Sequence, residues 1–266
     1  MLKIAVAGSA GRMGHALLEA VLASPDVKLA AALEQPGNPF LGKDAGAAVG
    51  TPCGVVISDN VESAIAGSDV LIDFTRPDGT LRHVAACRRR GVRVVIGTTG
   101  FSDAQRETIA EAARDIAIVF APNMSVGTNL VFKLADVAAR VLAGDYDIEI
   151  IEAHHRHKVD APSGTALHLG EIVAAARGVD LKNSAIYGRE GVTGERKTAA
   201  IGFSSIRAGD IVGEHTVMFA GPGERVELTV RSASRAPYAQ GALRAARFLG
   251  DRKSGLFDMQ DVLGLR

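Results

Sequence analysis

The chain has 266 residues, 47% of them hydrophobic, and thirty Lys and Arg balance thirty Asp and Glu. That is enough apolar material for one large or two modest domains, and a balanced charge leaves no footprint for nucleic acid or an anionic membrane surface. Cys53 and Cys87 lack metal-type spacing and suit a reducing cytosol, and no apolar run nears the ~18 residues of a membrane span, so a cytoplasmic protein is expected.

Leu2 to Ala7 is an apolar run that stops at glycine, which predicts a buried parallel strand rather than a leader sequence. Gly8-Ser9-Ala10-Gly11-Arg12-Met13-Gly14 follows, then a helix with Met13, Leu17, Ala20 and Val21 on one face. Lys28 to Leu33 predicts the next strand, ending at Glu34, 34 − 14 = 20 residues beyond the last glycine. A strand, a glycine turn, a helix and an acid at that offset are the parts of a dinucleotide site. Glycines let the backbone approach the pyrophosphate, the helix N-terminus offers N–H donors, and the acid meets the ribose hydroxyls. Ser9 stands where the usual pattern has its first glycine, and Gly8 comes one residue early. A glycine turn in an unrelated α/β domain is the alternative.

Val70 to Phe74, Val92 to Gly97 and Ile116 to Ala121 predict further strands, with Ser102 to Gln105 reading as a capping box. Arg88-Arg89-Arg90 reads as the cationic end of the helix before Gly91. Alternating strands and helices imply a Rossmann-type doubly wound parallel sheet. Ligands of such sheets bind beyond the carboxyl ends of the strands. Phe74 to Pro77, Gly97-Thr98-Thr99-Gly100 and Ala121-Pro122-Asn123-Met124-Ser125 all fall there, with backbone placed to border the nicotinamide half of a cofactor.

The second half changes character. A helical pattern (Leu130, Leu134, Val137, Val141) leads to a strand from Asp147 to Ala153, and Val226 to Arg231 alternates as a sheet with one wet face does. Ile211 to Phe219 and Ala199 to Arg207 are read as its neighbours, giving an α+β domain on a mixed or antiparallel sheet. From Pro237 a helical pattern returns. The expected division is a dinucleotide-binding domain over 1–125, an inserted substrate-binding and oligomerisation domain over 126–234, and a C-terminal return over 235–266.

Between Glu152 and Lys158, the five residues from His154 place five basic side chains at a strand end, and Pro162-Ser163-Gly164-Thr165 then opens a helix. An anion at a helix start gains roughly 0.3–2 kcal/mol from the dipole, and a hydrogen bond to a charged group adds roughly 1.5–3 kcal/mol. Cations facing Ser163, Gly164 and Thr165 therefore suit a carboxylate or phosphate. Zinc is not expected, because no Cys or His-x-x-x-His/Glu pattern accompanies the histidines and Lys158 would be left over. A merely solvated basic turn is the other reading.

The stretch from Glu152 to Ala166 resembles the signature of the dihydrodipicolinate reductase family. Gly8 to Gly14, Asp73-Phe74-Thr75, Gly97 to Gly100, Gly209 to His215 and Ser254 to Met259 are similar to that family in the same order, so the likeness covers nearly the whole chain. The resemblance implies a lysine and diaminopimelate biosynthetic enzyme, usually a homotetramer built through the sheet of the inserted domain, using NADH or NADPH or both. It makes His154 the acid–base histidine and Lys158 the proton donor, with His155, Gly164 and Thr165 on the small dicarboxylate substrate. It places the cofactor against Gly8, Ser9, Ala10, Gly11, Arg12, Met13, Glu34, Gly97, Thr98, Thr99, Ala121, Pro122, Asn123 and Met124. A lysine among other cations is expected to give up its proton more readily.

One departure bears on the cofactor. Some relatives carry arginine directly after the ribose-binding acid, where this chain has Gln35. A 2′-phosphate facing Glu34 alone meets repulsion of about 3 kcal/mol per charge pair at about 5 Å and an effective dielectric of about 20. Rotation of Glu34 or help from Arg12 relieves part of it, and NADH is expected to serve at least as well as NADPH. Two other readings remain, another two-domain amino-acid dehydrogenase and a dinucleotide-sensing protein without turnover.

Overall fold

A computed structural model describes residues 1–142 and 144–266. In chain order the elements are β1 (Leu2–Ala7), α1 (Arg12–Leu22), β2 (Val27–Leu33), β3 (Ile57–Ser58), α2 (Val61–Ile65), β4 (Val70–Asp73), α3 (Pro77–Arg90), β5 (Arg93–Ile96), α4 (Asp103–Ala112) and β6 (Ala117–Phe120). There follow α5 (Val126–Val141), β7 (Asp147–His154), α6 (Gly164–Arg177), α7 (Leu181–Ser184), β8 (Ala185–Tyr187), β9 (Ile201–Arg207), β10 (Gly213–Gly221) and β11 (Glu224–Ser232). The last three are α8 (Ala236–Leu249), β12 (Gly255–Phe257) and α9 (Met259–Leu263). They form two compact units, Met1–Val126 with Arg235–Arg266, and Gly127–Ser234.

The first unit is a parallel sheet in the order β12-β6-β5-β4-β1-β2-β3. Its strands are continuous apolar runs because both faces are covered. Ile4 and Val6 of β1 enter the core shared with Leu17 of α1 and Leu243 of α8, while Ala5 and Ala7 enter the core shared with Val84 of α3 and Ile109 of α4. This is the period-two alternation of a strand. Strand order reverses between β1 and β4, the switch point at which doubly wound folds bind ligands. The capping box at Ser102 is present, with both reciprocal bonds to Gln105. Helix α3 ends at Gly91 in the left-handed region, and its last-turn arginines pair with Asp115 and Glu62.

The second unit is a mixed sheet in the order β11-β10-β7-β9-β8. The hairpin β10–β11 and the pair β10–β7 are antiparallel, but β9 runs parallel to β7 and to β8. The stretch from Ala199 to Arg207 is therefore not a neighbour of the hairpin. Alternation marks a segment as a strand without saying which strand it joins.

Helix α5 forms where its periodicity predicts, yet the face the pattern suggested is the outer one. Leu130, Leu134 and Val137 are 42–48% exposed, whereas Val131, Phe132, Ala135 and Ala139 pack on Ile148, Ile150, Phe203 and Phe219. A helix apolar on two sides fixes its own period but not which side meets the sheet.

Candidate functional site

In the first unit the glycine turn leaves β1 at Gly8, whose φ of +68° favours a residue without Cβ. A Cβ on Gly14 would lie 2.2 Å from the Gly8 carbonyl oxygen, so only glycine lets α1 start this close to the turn. Ser9 is buried and its hydroxyl donates to the Leu33 carbonyl at 3.2 Å, which binds the turn to the end of β2. Helix α1 begins at Gly11 with no capping side chain among the described residues, so its first N–H groups are available to an anion. The cleft there measures about 240 Å³ and is lined by Gly8, Gly11, Arg12, Met13, Phe74 and Arg235, among others. Two guanidiniums, a helix start and close-packed backbone fit a dinucleotide pyrophosphate. Arg235 carried no role in the sequence reading; 223 residues separate it from Arg12 along the chain, and only the return of α8 brings them to one cleft.

Glu34 lies beside the same turn. Its Oε2 accepts from the Ala10 N–H at 3.1 Å and its Oε1 from the Gln35 N–H at 2.9 Å. Thr98, beyond β5, is buried and joins a polar network on Asp73, while Thr99 is exposed. Beyond β6, Ala121 and Met124 send their side chains into the core, so their backbone is what remains for a ligand; Asn123 is turned inward and its Oδ1 accepts from Ser125 N–H, and Pro122 is exposed.

In the second unit the chemistry follows from strand alternation. Ile148 and Ile150 of β7 point into the core, so Glu152 and His154 lie on that same covered face where the strand ends. By the same parity Phe203 carries Arg207 onto that face from β9, and Val217 carries His215 onto it from β10. Register then pairs His154 with Arg207 and Glu152 with His215. Residues more than fifty positions apart become neighbours.

Glu152 is 1% exposed and fully engaged. Arg207 donates through Nη1 to Oε2 at 2.8 Å and through Nη2 to Oε1 at 2.7 Å, a fork-to-fork pair, and the Ser163 N–H donates to Oε1 at 3.3 Å. Burial alone would raise this carboxyl, but the bonds from Arg207, Ser205 and His154 outweigh it and bring it down to about 2. His154 Nδ1 lies 2.5 Å from Glu152 Oε2. Because that carboxylate is ionised it can only accept, so Nδ1 carries the proton and Nε2 is the nitrogen left for exchange. Burial holds the His154 imidazole below its ordinary value, the Glu152 bond opposing it and the Lys158 and Arg207 charges adding to it.

His215 closes the cluster. It is buried, its ring stands edge-on to His154 with centroids 5.1 Å apart, and its Nε2 is 2.9 Å from Ser163 Oγ. Burial, helped by the charge of His154, pushes it down to about 3, so it is neutral near pH 7. Ser163 caps α6 by accepting from the Ala166 N–H at 3.2 Å, so His215 steadies the helix start. Lys158 Nζ is 2.8 Å and 2.9 Å from the two Asp160 oxygens. The run of cations suggested repulsion as its setting, but the structure supplies an anionic partner two residues on. His155 is half-buried with its ring 6.3 Å from that of exposed His157, while Gly164 is exposed and Thr165 half-buried in the first turn of α6. Glu152, Arg207, His215 and Asp160 had no role in the sequence reading; the signal for the first three was a buried alternation ending in ionisable residues.

Known proteins agree along the whole chain. The family model described as dihydrodipicolinate reductase, N-terminus, matches residues 2–124, and that of the C-terminus matches residues 127–263. The 4-hydroxy-tetrahydrodipicolinate reductase of Nitrosospira multiformis is 66% identical over 265 residues, covering 100% of this chain and 98% of the relative; that of Nitrosomonas europaea is 65% identical, covering 100% and 99%. Among solved structures, dipicolinate-bound dihydrodipicolinate reductase from Paenisporosarcina sp. TG-14 superposes with a TM-score of 0.77 at 27% identity over 98% of each chain. An amine dehydrogenase from Mycobacterium smegmatis, at 10% identity and a TM-score of 0.61 over 96% of this chain and 94% of its own, shares the fold alone. The chain belongs to the dihydrodipicolinate reductase family.

Proposed function

We propose that the chain reduces 4-hydroxy-tetrahydrodipicolinate to tetrahydrodipicolinate in lysine and diaminopimelate biosynthesis, using NADH or NADPH. The observation that carries this reading is His154, held through Nδ1 by a buried carboxylate that Arg207 keeps ionised, next to the Ser163-capped start of α6. A nicotinamide nucleotide bound at the glycine turn supplies the hydride. The chain's own residues bind the dicarboxylate and manage the proton. His155 and the first N–H groups of α6 at Gly164 and Thr165 take the substrate carboxylates. Once the 4-hydroxyl has left as water and opened a ring C=C, Lys158, kept in place by Asp160, gives a proton to the ring carbon next to the one that accepts hydride, and His154 Nε2 exchanges the proton that Lys158 must regain.

On this reading Arg12 and Arg235 meet the pyrophosphate and Glu34 the adenosine ribose. With Gln35 rather than arginine beside Glu34, NADH is at least as good a donor as NADPH. The chain acts as a cytoplasmic homotetramer joined through the open face of the second unit's sheet, a reading supported by Ile206, 48% exposed there. Among the described residues no helix is long and apolar enough to cross a membrane.

The test is to offer NADH with the condensation product of pyruvate and aspartate semialdehyde and to follow cofactor oxidation. Oxidation that depends on the condensation product supports the proposal. NADH binding without turnover would leave a sensing protein instead.

A further inference from the structure

At the switch point of the first unit, where β4 ends, stands Asp73, 0% exposed. Its Oδ1 accepts from the Thr75 N–H at 2.8 Å, the Thr75 hydroxyl at 2.7 Å and the Thr98 hydroxyl at 3.4 Å. Its Oδ2 is 2.7 Å from His83 Nδ1 on α3. Thr80, also on α3, donates to the Thr98 hydroxyl at 2.9 Å. With its hydroxyl so fixed, Thr75 turns its methyl toward the glycine turn, where a Cβ on Gly8 would come within 3.0 Å of Thr75 Cγ2. Next to it the Phe74 ring fills the space over Gly97, where an added Cβ would lie 2.2 Å from the ring. One carboxylate therefore fixes three loops, those after β1, β4 and β5, which leave adjacent strands of the sheet.

A buried ionised group is costly, and an apolar residue of similar size would hold a strand end more cheaply. What the carboxylate adds is direction. Its partners are the loop threonines on the ligand side and one histidine behind them. We propose that Asp73 and His83 are positioning residues for the dinucleotide, setting the Thr75 and Thr98 loops against the glycine turn in the shape that receives the nicotinamide half. Neither residue touches the ligand. The inference rests on the reading of the glycine turn as a dinucleotide site. Burial alone would raise the Asp73 carboxyl, but the bond and charge of His83, followed by the bonds from Thr75, outweigh it and keep the carboxyl below its ordinary value, in accord with an ionised hub.

The experiment is calorimetric titration of NADH into the unliganded chain, with the thermal midpoint recorded in parallel. Asp73→Asn is expected to bind NADH about tenfold more weakly, and in the assay to raise KM for NADH while leaving KM for the dicarboxylate unchanged. His83→Gln, which still offers an N–H to Asp73, should bind within about threefold of the unaltered chain, and His83→Leu should lose about tenfold. Should Asp73→Asn fail to fold, the His83 pair carries the test. A folded Asp73→Asn or His83→Leu with unaltered NADH affinity overturns the proposal, as does a rise in both KM values together, which a general loss of structure would produce. An unaltered chain that binds no NADH overturns the dinucleotide reading, and this one with it.

Discussion

Arg207 grips both oxygens of Glu152, Nη1 to Oε2 at 2.8 Å and Nη2 to Oε1 at 2.7 Å, at a place where the carboxylate is 1% exposed. The pair is consequential because the same carboxylate orients His154. Removing Arg207 leaves a buried acid facing a histidine without its counter-ion, and removing the acid leaves His154 free to exchange tautomers.

Glu152→Gln is accordingly expected to lower turnover by roughly 10²-fold or more with KM for the nucleotide unchanged. The carboxylate raises the affinity of His154 for a proton, so its loss should move the limb of the pH–rate profile that belongs to His154 to lower pH. A profile superimposable on that of the unaltered enzyme would mean that Glu152 does not orient the histidine.

Stability should carry a signature of His215. The unfolded chain takes up a proton on this residue below about 6.5, whereas the folded state resists protonation down to about 3. Its contribution is therefore complete above about 6.5 and is lost progressively as pH falls towards 3, at up to about 1.4 kcal/mol per pH unit. Burial depresses His154 as well, and it adds in the same direction. Glu152 comes in only lower, its stabilisation being lost as pH falls from 4.5 towards about 2. Urea unfolding between pH 7.5 and 5 should show the loss for the unaltered chain and a flatter dependence for His215→Asn. Equal slopes would contradict the burial argument.

Cofactor choice is set beside the glycine turn. Glu34 is tied to the Ala10 and Gln35 amides, and the residue directly after it is Gln35 rather than arginine. kcat/KM for NADH should equal or exceed that for NADPH, and Gln35→Arg should raise the NADPH value about tenfold. A strong NADPH preference in the unaltered enzyme would rule out the electrostatic account.

Much of the fold could be read from the sequence because its signals are local. β1 is an apolar run that ends in a glycine, and the cap at Ser102 needs only Gln105 three residues on. What could not be read depends on pairing. Nothing local shows that β9 runs parallel beside β7, so nothing local brings Arg207 to Glu152 across 55 positions. Helix α5 shows the same limit, since Leu130 and Val131 are both apolar and only packing decides that Val131 is the buried one. Asp73 and His83 are ten residues apart and resemble many acid and histidine pairs until α3 folds back over the end of β4. Asp160 differs. It stood two residues from Lys158, and the emphasis on neighbouring cations hid it.

The central claim is that the cluster at the end of β7 moves the proton in a nicotinamide-dependent reduction. The most direct measurement is the turnover of Lys158→Ala with saturating NADH and the condensation product of pyruvate and aspartate semialdehyde. The account predicts turnover lower by about 10²–10⁴-fold, in a variant that folds and binds NADH as the unaltered chain does. Turnover equal to that of the unaltered chain would contradict it.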